Sequence, residues 1–469
     1  MTSRRSRFLA VGSFLLLAAA PAAGQQRALT PHERLAREIF RELVEINTTE
    51  SRGSTAAAAR AMEKRLLVAG FPAGDVVVVE NAPRKGNLVA RLRGQNAGRK
   101  PILLLAHIDV VEARPEDWTL PPFEFIERDG TFYGRGVADD KDEAAIHVAN
   151  LIRMKQEGFV PDRDIIVALT TDEEGGPDNG VVWILENRPE LFDAAYALNE
   201  GGGGETGDGR RVSNTVQASE KKVQNFTLEV TNPGGHSSRP IKDNAITHLS
   251  AALVRIGGFD FPVRLNEVTR EFFARSAGIV GGEQAAAMRA LVADPADERA
   301  AAVLARDPGH NSRMRTTCVA TLLEGGHARN ALPQRARATV NCRILPDEAA
   351  ADVQRTLEGL VANPGVTITP IDEAVDSPPS PLGGEVLAAV EKITKEMWPG
   401  VPVIPTMSTG ATDGLFLRNR GIPVYGVSGL FYGETFAHGM NERIPVEAFY
   451  QGLDFLYRLT KELSSRPIS

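Results

Sequence analysis

The chain has no dense run of lysine or arginine, and its formal charge is −7, which argues against nucleic acid as its main partner. No internal repeat divides it. No apolar run is long enough for a comfortable membrane span, since the best of them, Phe8 to Ala20, is too short. Cysteine is almost missing. Only Cys318 and Cys342 occur, neither near the N-terminus, which argues against a lipoprotein anchor. The four-glycine run Gly201 to Gly204 lacks the Lys and Ser/Thr of a phosphate-binding loop, and reads instead as a flexible loop.

What is present begins with size: 469 residues, 42% of them hydrophobic, supply a large core and favour two domains over one. The N-terminus resembles an export signal. Arg4, Arg5 and Arg7 form a charged region, Phe8 to Ala20 an apolar one, and Ala22-Ala23-Gly24 a small-residue cleavage site. Residues 1–24 are therefore expected to be a signal peptide, giving a secreted or periplasmic protein with no stable membrane insertion after cleavage. A retained anchor is the alternative. Export makes a disulfide chemically possible.

Thr30, Pro31 and Glu33 have the spacing of a capping box opening an amphipathic helix from Leu35 to Ile46. Strands are expected at Val76–Val79, Leu88–Leu92, Ile102–Ala106, Ile165–Leu169 and Ala194–Leu198, with helices at Asp140–Gln156 and Val181–Asn187. The alternation implies an α/β sheet with its active groups at strand ends. After about residue 217 the pattern changes to strand Val223–Val230, helix Asn244–Ile256, strands Arg315–Leu323 and Arg335–Ile344, helix Glu348–Val361 and strand Val366–Pro370. This β-α-β-β-α-β order reads as a ferredoxin-like inserted domain. Residues 258–312, Ala- and Arg-rich, interrupt it and carry no functional assignment. The α/β pattern resumes near 373, with strand Ile422–Val427 and a final helix Pro445–Leu463. The expected division is 25–217 and 373–469 for the catalytic domain and 218–372 for the insert.

Five short stretches carry the chemistry: His107-Ile108-Asp109, Asp139-Asp140-Lys141, Glu173-Glu174-Gly175, Asn199-Glu200-Gly201 and Ala437-His438-Gly439. Each lies beside a strand-like run or a helix start. His107 and Asp109, two apart on an extended segment, leave the same face, so His107 can bind zinc while Asp109 holds its ring from behind. A lone His-x-Asp is more often structural. Asp139 has two oxygens and can bridge two cations, whereas Asp140 reads better as a helix cap. Of the adjacent Glu173 and Glu174, one suits a general base and the other a ligand; Glu173 is assigned as base. Glu200 and His438 would close the two metal positions. His32, His147, His248 and His310 lack such context and are taken as surface or packing residues.

With these stretches in order, together with Gly234-Gly235-His236-Ser237-Ser238 and His438-Gly439-Met440-Asn441-Glu442-Arg443, the chain resembles the M20 metallopeptidases: carboxypeptidases, dipeptidases and aminoacylases. The resemblance implies one zinc on His107, Asp139 and Glu200 and a second on Asp139, Glu174 and His438. It also implies a cis peptide after Asp139. The insert would be a lid and dimerisation domain whose His236 polarises the scissile carbonyl, often across a homodimer interface. Asn330 and Arg343 would bind substrate, Arg343 pairing with a carboxylate, and Gly410 would offer backbone to it.

Glu112 and Asp142 depart from the family pattern, which has Pro and Gly there, and both are expected near the pocket rim. Glu200, rather than Asp, leans toward carboxypeptidases and aminoacylases over dipeptidases. Cys318 and Cys342 would face each other across the lid hairpin if it has no bulge, leaving a disulfide and two core thiols as the alternatives. The expected protein is a two-zinc exopeptidase acting next to a free carboxylate, with carboxypeptidase action first and N-acyl-amino-acid hydrolysis as its rival. A dipeptidase and a non-catalytic metal- or peptide-binding protein are the remaining readings.

Overall fold

Strands whose residues are apolar throughout must be covered on both faces, and two of them form the centre of the molecule. In a computed structural model describing residues 28–466, Ile102–His107 and Ile165–Thr170 pair in parallel and are buried at every position. The expected signal peptide lies outside the described residues. Tyr196–Asn199 and Val424–Gly426 extend the parallel core on one side. Lys85–Leu92 and Val76–Ala82 continue antiparallel on the other, within a ten-stranded mixed sheet.

Alternate residues of these strands serve two cores. Leu104, Ala106, Val167 and Leu169 pack with helices Pro31–Glu45, Lys141–Gln156, Glu385–Met397 and Val446–Ser464. Leu103, Leu105, Ile166 and Ala168 pack with helix Gly180–Asn187 and Leu417. The first helix starts where its capping box predicts, with Thr30 accepting from the Glu33 N–H and Glu33 reaching back to the Thr30 N–H. Its buried stripe Ala36, Ile39, Phe40 and Leu43 follows, and Phe40 stacks on Phe449 at 4.6 Å. Removing such a cap typically costs about 1 kcal/mol.

A second, four-stranded antiparallel sheet has the order Thr317–Gly325, Arg335–Ile344, Lys222–Thr231, Val366–Pro370. Helices Ala245–Gly257 and Ala350–Val361 cover one face and build a separate core around Phe226, Leu249, Val340 and Leu357. The chain is thus an α/β body with an added α+β subdomain. Cys318 and Cys342 are directly opposed and form a disulfide; the hairpin bulge falls between Ala320 and Leu322, on the turn side of them.

Residues 258–314 form helices Glu267–Ser276, Gly282–Ala293, Glu298–Leu304 and Pro308–Met314. Their core, around Phe273, Met288 and Leu304, takes in Ile404 from the large-sheet strand Val403–Ser408. Arg275 donates to Glu391 at 2.7 Å and to the Val403 carbonyl at 3.0 Å. This block therefore seats on the α/β body, although it interrupts the sequence of the small sheet.

One expectation needs correcting here. Gly201 to Gly204 is not a loose loop but a close-packed crossing: a Cβ at Gly202 would lie 2.1 Å from the Gly426 carbonyl oxygen, and one at Gly203 2.5 Å from Ser428 Oγ. Among the described residues no helix is long and apolar enough to cross a membrane.

Candidate metal centre

The parallel strands end on the functional residues. His107 closes its strand, Glu173 lies just beyond Ile165–Thr170, and Glu200 follows Tyr196–Asn199. His107 Nε2 lies 2.9 Å from Asp139 Oδ1. His438 Nε2 lies 3.0 Å from Asp139 Oδ2 and 3.0 Å from Glu174. One carboxylate therefore meets two imidazoles through its two oxygens. Ligand atoms of His107, Asp139 and Glu174 come within 4.8 Å of one another, as do those of His107, Glu173 and Glu200.

The charges explain what this cluster needs. Burial pushes the Glu173 carboxyl well above its ordinary pKa, and Glu200 beside it adds to the rise. Burial likewise raises Glu200 well above its ordinary value, with His107 opposing and Asp139 adding. Burial pulls His107 down, but its hydrogen bond to Asp139 and the nearby Glu200 outweigh it and hold the ring well above 6.5. Hydrogen bonds to Asp139 and Glu174 lift His438 to about 10. Buried carboxylates that oppose one another's ionisation call for positive charge, and nitrogen and oxygen donors of this kind suit zinc. The residues fit a pair of metal ions.

Residues 103–462 match the model of peptidase family M20/M25/M40. The chain belongs to this family. Human N-fatty-acyl-amino acid synthase/hydrolase PM20D1 is 28% identical over 81% of this chain and 77% of its own length. Aminoacylase-1 of Pongo abelii is 27% identical, covering 92% of this chain and 95% of its own. The M20 metallo-carboxypeptidase Sso-CP2 from Sulfolobus solfataricus superimposes with a TM-score of 0.67 at 20% identity, over 91% of this chain and 98% of its own. Family and donor set together make this M20 protein a zinc-dependent hydrolase of C–N bonds.

Around the centre of this M20 protein the loops are fastened by residues that sequence reasoning did not single out. Arg135 donates to Glu442 at 2.7 Å and to the Gly439 carbonyl at 2.9 Å, while Glu442 accepts from the Gly136 and Ala138 N–H groups at 2.9 and 2.8 Å. This joins the Asp139 loop to the His438 loop. Lys85 pairs with Asp172 at 2.5 Å, and Asn179 donates to the Asp172 carbonyl at 3.1 Å and to Asp413 at 2.7 Å, so the Glu173–Glu174 turn is tied at both ends. Arg135 and Asn179 stand beside a motif and Glu442 inside one, whereas Lys85 lies far from any and had only its charge as a signal.

Three site expectations change in detail. His107 Nδ1 meets the Asp109 backbone carbonyl at 3.1 Å, with the carboxylate farther away at 3.7 Å. The Asp109 carboxylate instead accepts the N–H groups of Glu173 at 3.2 Å and Glu174 at 3.1 Å. Asp140 stands at the N-cap of helix Lys141–Gln156 but makes no capping bond: its backbone, at φ −129° and ψ 29°, is not the extended form from which a side chain reaches the first-turn N–H groups. Asp142 is not at a rim. It is 1% exposed in a first helical turn that faces the core, whereas Glu112 is exposed and accepts from the Ser51 N–H at 2.9 Å and hydroxyl at 3.0 Å. The Asp139–Asp140 peptide is cis, as the resemblance implies.

Of the expected substrate residues, His236 and Asn330 are brought together. Gly235–His236 pairs with Ala331–Leu332, and the Ser237 N–H donates to the Asn330 carbonyl at 3.0 Å. Arg343 lies near the end of strand Arg335–Ile344, half-buried, with Nε donating to Asn341 at 3.3 Å; burial lowers its pKa. Gly410 follows strand Val403–Ser408, its N–H on Ser408 Oγ at 3.1 Å. Among the described residues, no hydrogen bond joins these four to the carboxylate cluster. The four other histidines the sequence set aside stay outside it. His147 is buried among core residues, His310 lies 6.0 Å from the Phe273 ring, His32 bonds Asn150 at 3.1 Å and His248 Asp243 at 3.0 Å.

Proposed function

We propose that this M20 protein is an exported two-zinc hydrolase of amides whose amine side carries a free carboxylate. The observation that carries the reading is Asp139 meeting His107 and His438 through separate oxygens. Asp139 would hold both ions, with His107 and Glu200 on one side and Glu174 and His438 on the other. Bound there, two zinc ions supply Lewis acidity, which makes water a nucleophile at neutral pH and polarises a carbonyl.

The chain's own residues do the rest. Glu173, whose pKa burial raises, takes the proton of the attacking water and passes it to the leaving nitrogen. Asp109 keeps Glu173 and Glu174 aimed by binding their amides. His236 donates to the carbonyl oxygen as charge develops there. Arg343 pairs with the substrate carboxylate, and Asn330 and the Gly410 backbone complete its binding.

The strand order of the small sheet supports a ferredoxin-like insert at 218–372 between catalytic halves 25–217 and 373–469. Its edge strand Thr317–Gly325 exposes Val319, Leu322 and Leu323, beside exposed Ile246 and Val254 of helix Ala245–Gly257. An unpaired apolar edge favours pairing with a second copy, which supports a homodimer through the insert. The Cys318–Cys342 disulfide supports an oxidising compartment, and with it export.

Carboxypeptidase action is the first reading of the acyl side. Hydrolysis of N-acyl amino acids is the second, favoured by relatives named N-fatty-acyl-amino acid synthase/hydrolase and aminoacylase-1. Product analysis by mass spectrometry separates them, using zinc-loaded protein on peptides blocked at either end and on N-acyl amino acids. Release of C-terminal residues from longer peptides supports the first reading, and cleavage confined to acyl amino acids the second. Glu173→Ala should keep zinc and lose about 10²–10⁴-fold in turnover. Unchanged turnover removes Glu173 from the base role.

A further inference from the structure

A neutral imidazole has one N–H and one bare nitrogen, and which is which decides whether His236 can donate to a substrate oxygen at all. The answer lies in the turn that follows it. Residues 236–239 close a tight turn, with the Arg239 N–H donating to the His236 carbonyl at 3.0 Å. The turn folds Ser238 back over the ring it follows. The Ser238 N–H then lies 3.1 Å from His236 Nδ1, and the Ser238 hydroxyl 2.8 Å from the same nitrogen.

A backbone N–H can only donate. Nδ1 must therefore be the bare nitrogen, and the hydroxyl, which can act either way, donates to it as well. The ring proton is left on Nε2. A proton on Nδ1 would instead point at the Ser238 N–H. Gly234 and Gly235 permit the arrangement: their φ values of 79° and 151° carry the chain into the short pairing with Ala331–Leu332, which fixes the start of the turn.

We propose that Ser238 is a positioning residue that holds His236 in the Nε2–H tautomer, so that the ring offers a hydrogen-bond donor, not an acceptor, to the substrate carbonyl. The functional half rests on the role given to His236 above; the tautomer itself does not. Ser238 touches no reacting atom and acts only through the ring.

The test is long-range ¹⁵N–¹H correlation NMR of the imidazoles in full-length zinc-loaded protein, at a pH where the ring is neutral, with His236→Gln identifying the signal. The expected wild-type pattern has a bare Nδ1 and a protonated Nε2. Ser238→Ala, which loses one of the two donors, should raise the share of Nδ1–H by about three- to tenfold and lower kcat with little change in KM. Ser238→Thr, which keeps both donors, should restore both readouts. A wild-type ring protonated on Nδ1 overturns the proposal, and so does a Ser238→Ala protein with wild-type tautomer ratio and kcat. If the tautomer is as proposed but His236→Gln leaves kcat unchanged, the role of His236 in catalysis fails and the tautomer assignment stands.

Discussion

Removing the Glu442 carboxylate should loosen the metal centre without touching a ligand. Glu442 is fully buried and accepts three hydrogen bonds through its side chain: from Arg135, Gly136 and Ala138, at 2.7, 2.9 and 2.8 Å. Glu442→Ala leaves Arg135 as a buried cation with one carbonyl partner, Gly439, and strands two backbone N–H groups. Breaking a buried ion pair from one side typically costs ~3–5 kcal/mol, a large part of the roughly 5–15 kcal/mol that holds most proteins folded. The loops that carry Asp139 and His438 are joined through this pair, so zinc affinity should also fall, by about 10–100-fold. Chelator competition measures the affinity, and urea unfolding of the zinc-free protein measures the stability. Arg135→Met removes the stranded cation, so the double variant should be less destabilised than the two single variants added together. Zinc affinity within twofold of wild type in Glu442→Ala would refute the claim that this pair fastens the two loops. Additive stability effects in the cycle would refute the coupling.

Other expectations follow from burial and charge. Lys221 joins the large-sheet strand Arg210–Glu220 to the small-sheet strand Lys222–Thr231 and donates to the Arg315 carbonyl at 2.6 Å; burial lowers its pKa from 10.5 to about 7. Between those values the unfolded chain holds a proton that the folded one does not. Its contribution to stability should therefore rise with pH from 7 toward 10, by about 1 kcal/mol per pH unit, and Lys221→Met should abolish that slope in the difference between the two proteins. Zinc must displace protons from His438, raised to about 10, and from the raised Glu200, so binding at pH 7 should release about one proton or more and weaken as pH falls. Calorimetry in buffers of different ionisation heat reads the number; no release would contradict these assignments. The disulfide, at a sequence separation of 24, should add about 3 kcal/mol, read as the loss in Cys318→Ala/Cys342→Ala. Denatured, unreduced protein should show no free thiol, and finding two would disprove the bond.

How much of this was legible depended on where each residue's partners lie. Ile102–His107 and Ile165–Thr170 announce themselves because apolar residues buried on both faces need no particular partner. Four ligands were legible from their place: His107 closes such a strand, Glu174 and Glu200 follow one within four residues, and Asp139 lies at a helix start, whereas His438 had only its motif. Arg210–Glu220 was not. It buries Ser213, Asn214, Gln217, Ser219 and Glu220, a composition that reads as loop until Asn214 finds Thr394 at 2.9 Å and Glu220 finds the Thr412 N–H at 2.8 Å. Thr55–Val68 is rich in alanine and shows no strong apolar stripe, so its helix passed unnoticed. Lys85 and Glu442 are ordinary charges in the sequence, and most such charges are solvated. Only the fold shows that these two are buried against Asp172 and Arg135.

The helical block at 258–314 has a consequence for anyone shortening this chain. Strand Val403–Ser408 pairs with Arg210–Glu220 on one side, while helix Glu267–Ser276 lies over it and Arg275 takes up its first carbonyl. Cut away, the block would uncover Ile404, now 1% exposed, and leave a sheet margin ready to pair with any passing strand. What looks in the sequence like a dispensable interruption is a guard against aggregation: Pro405 already removes one donor from that strand, and a trimmed enzyme would need a charged residue on the margin as well to stay in solution.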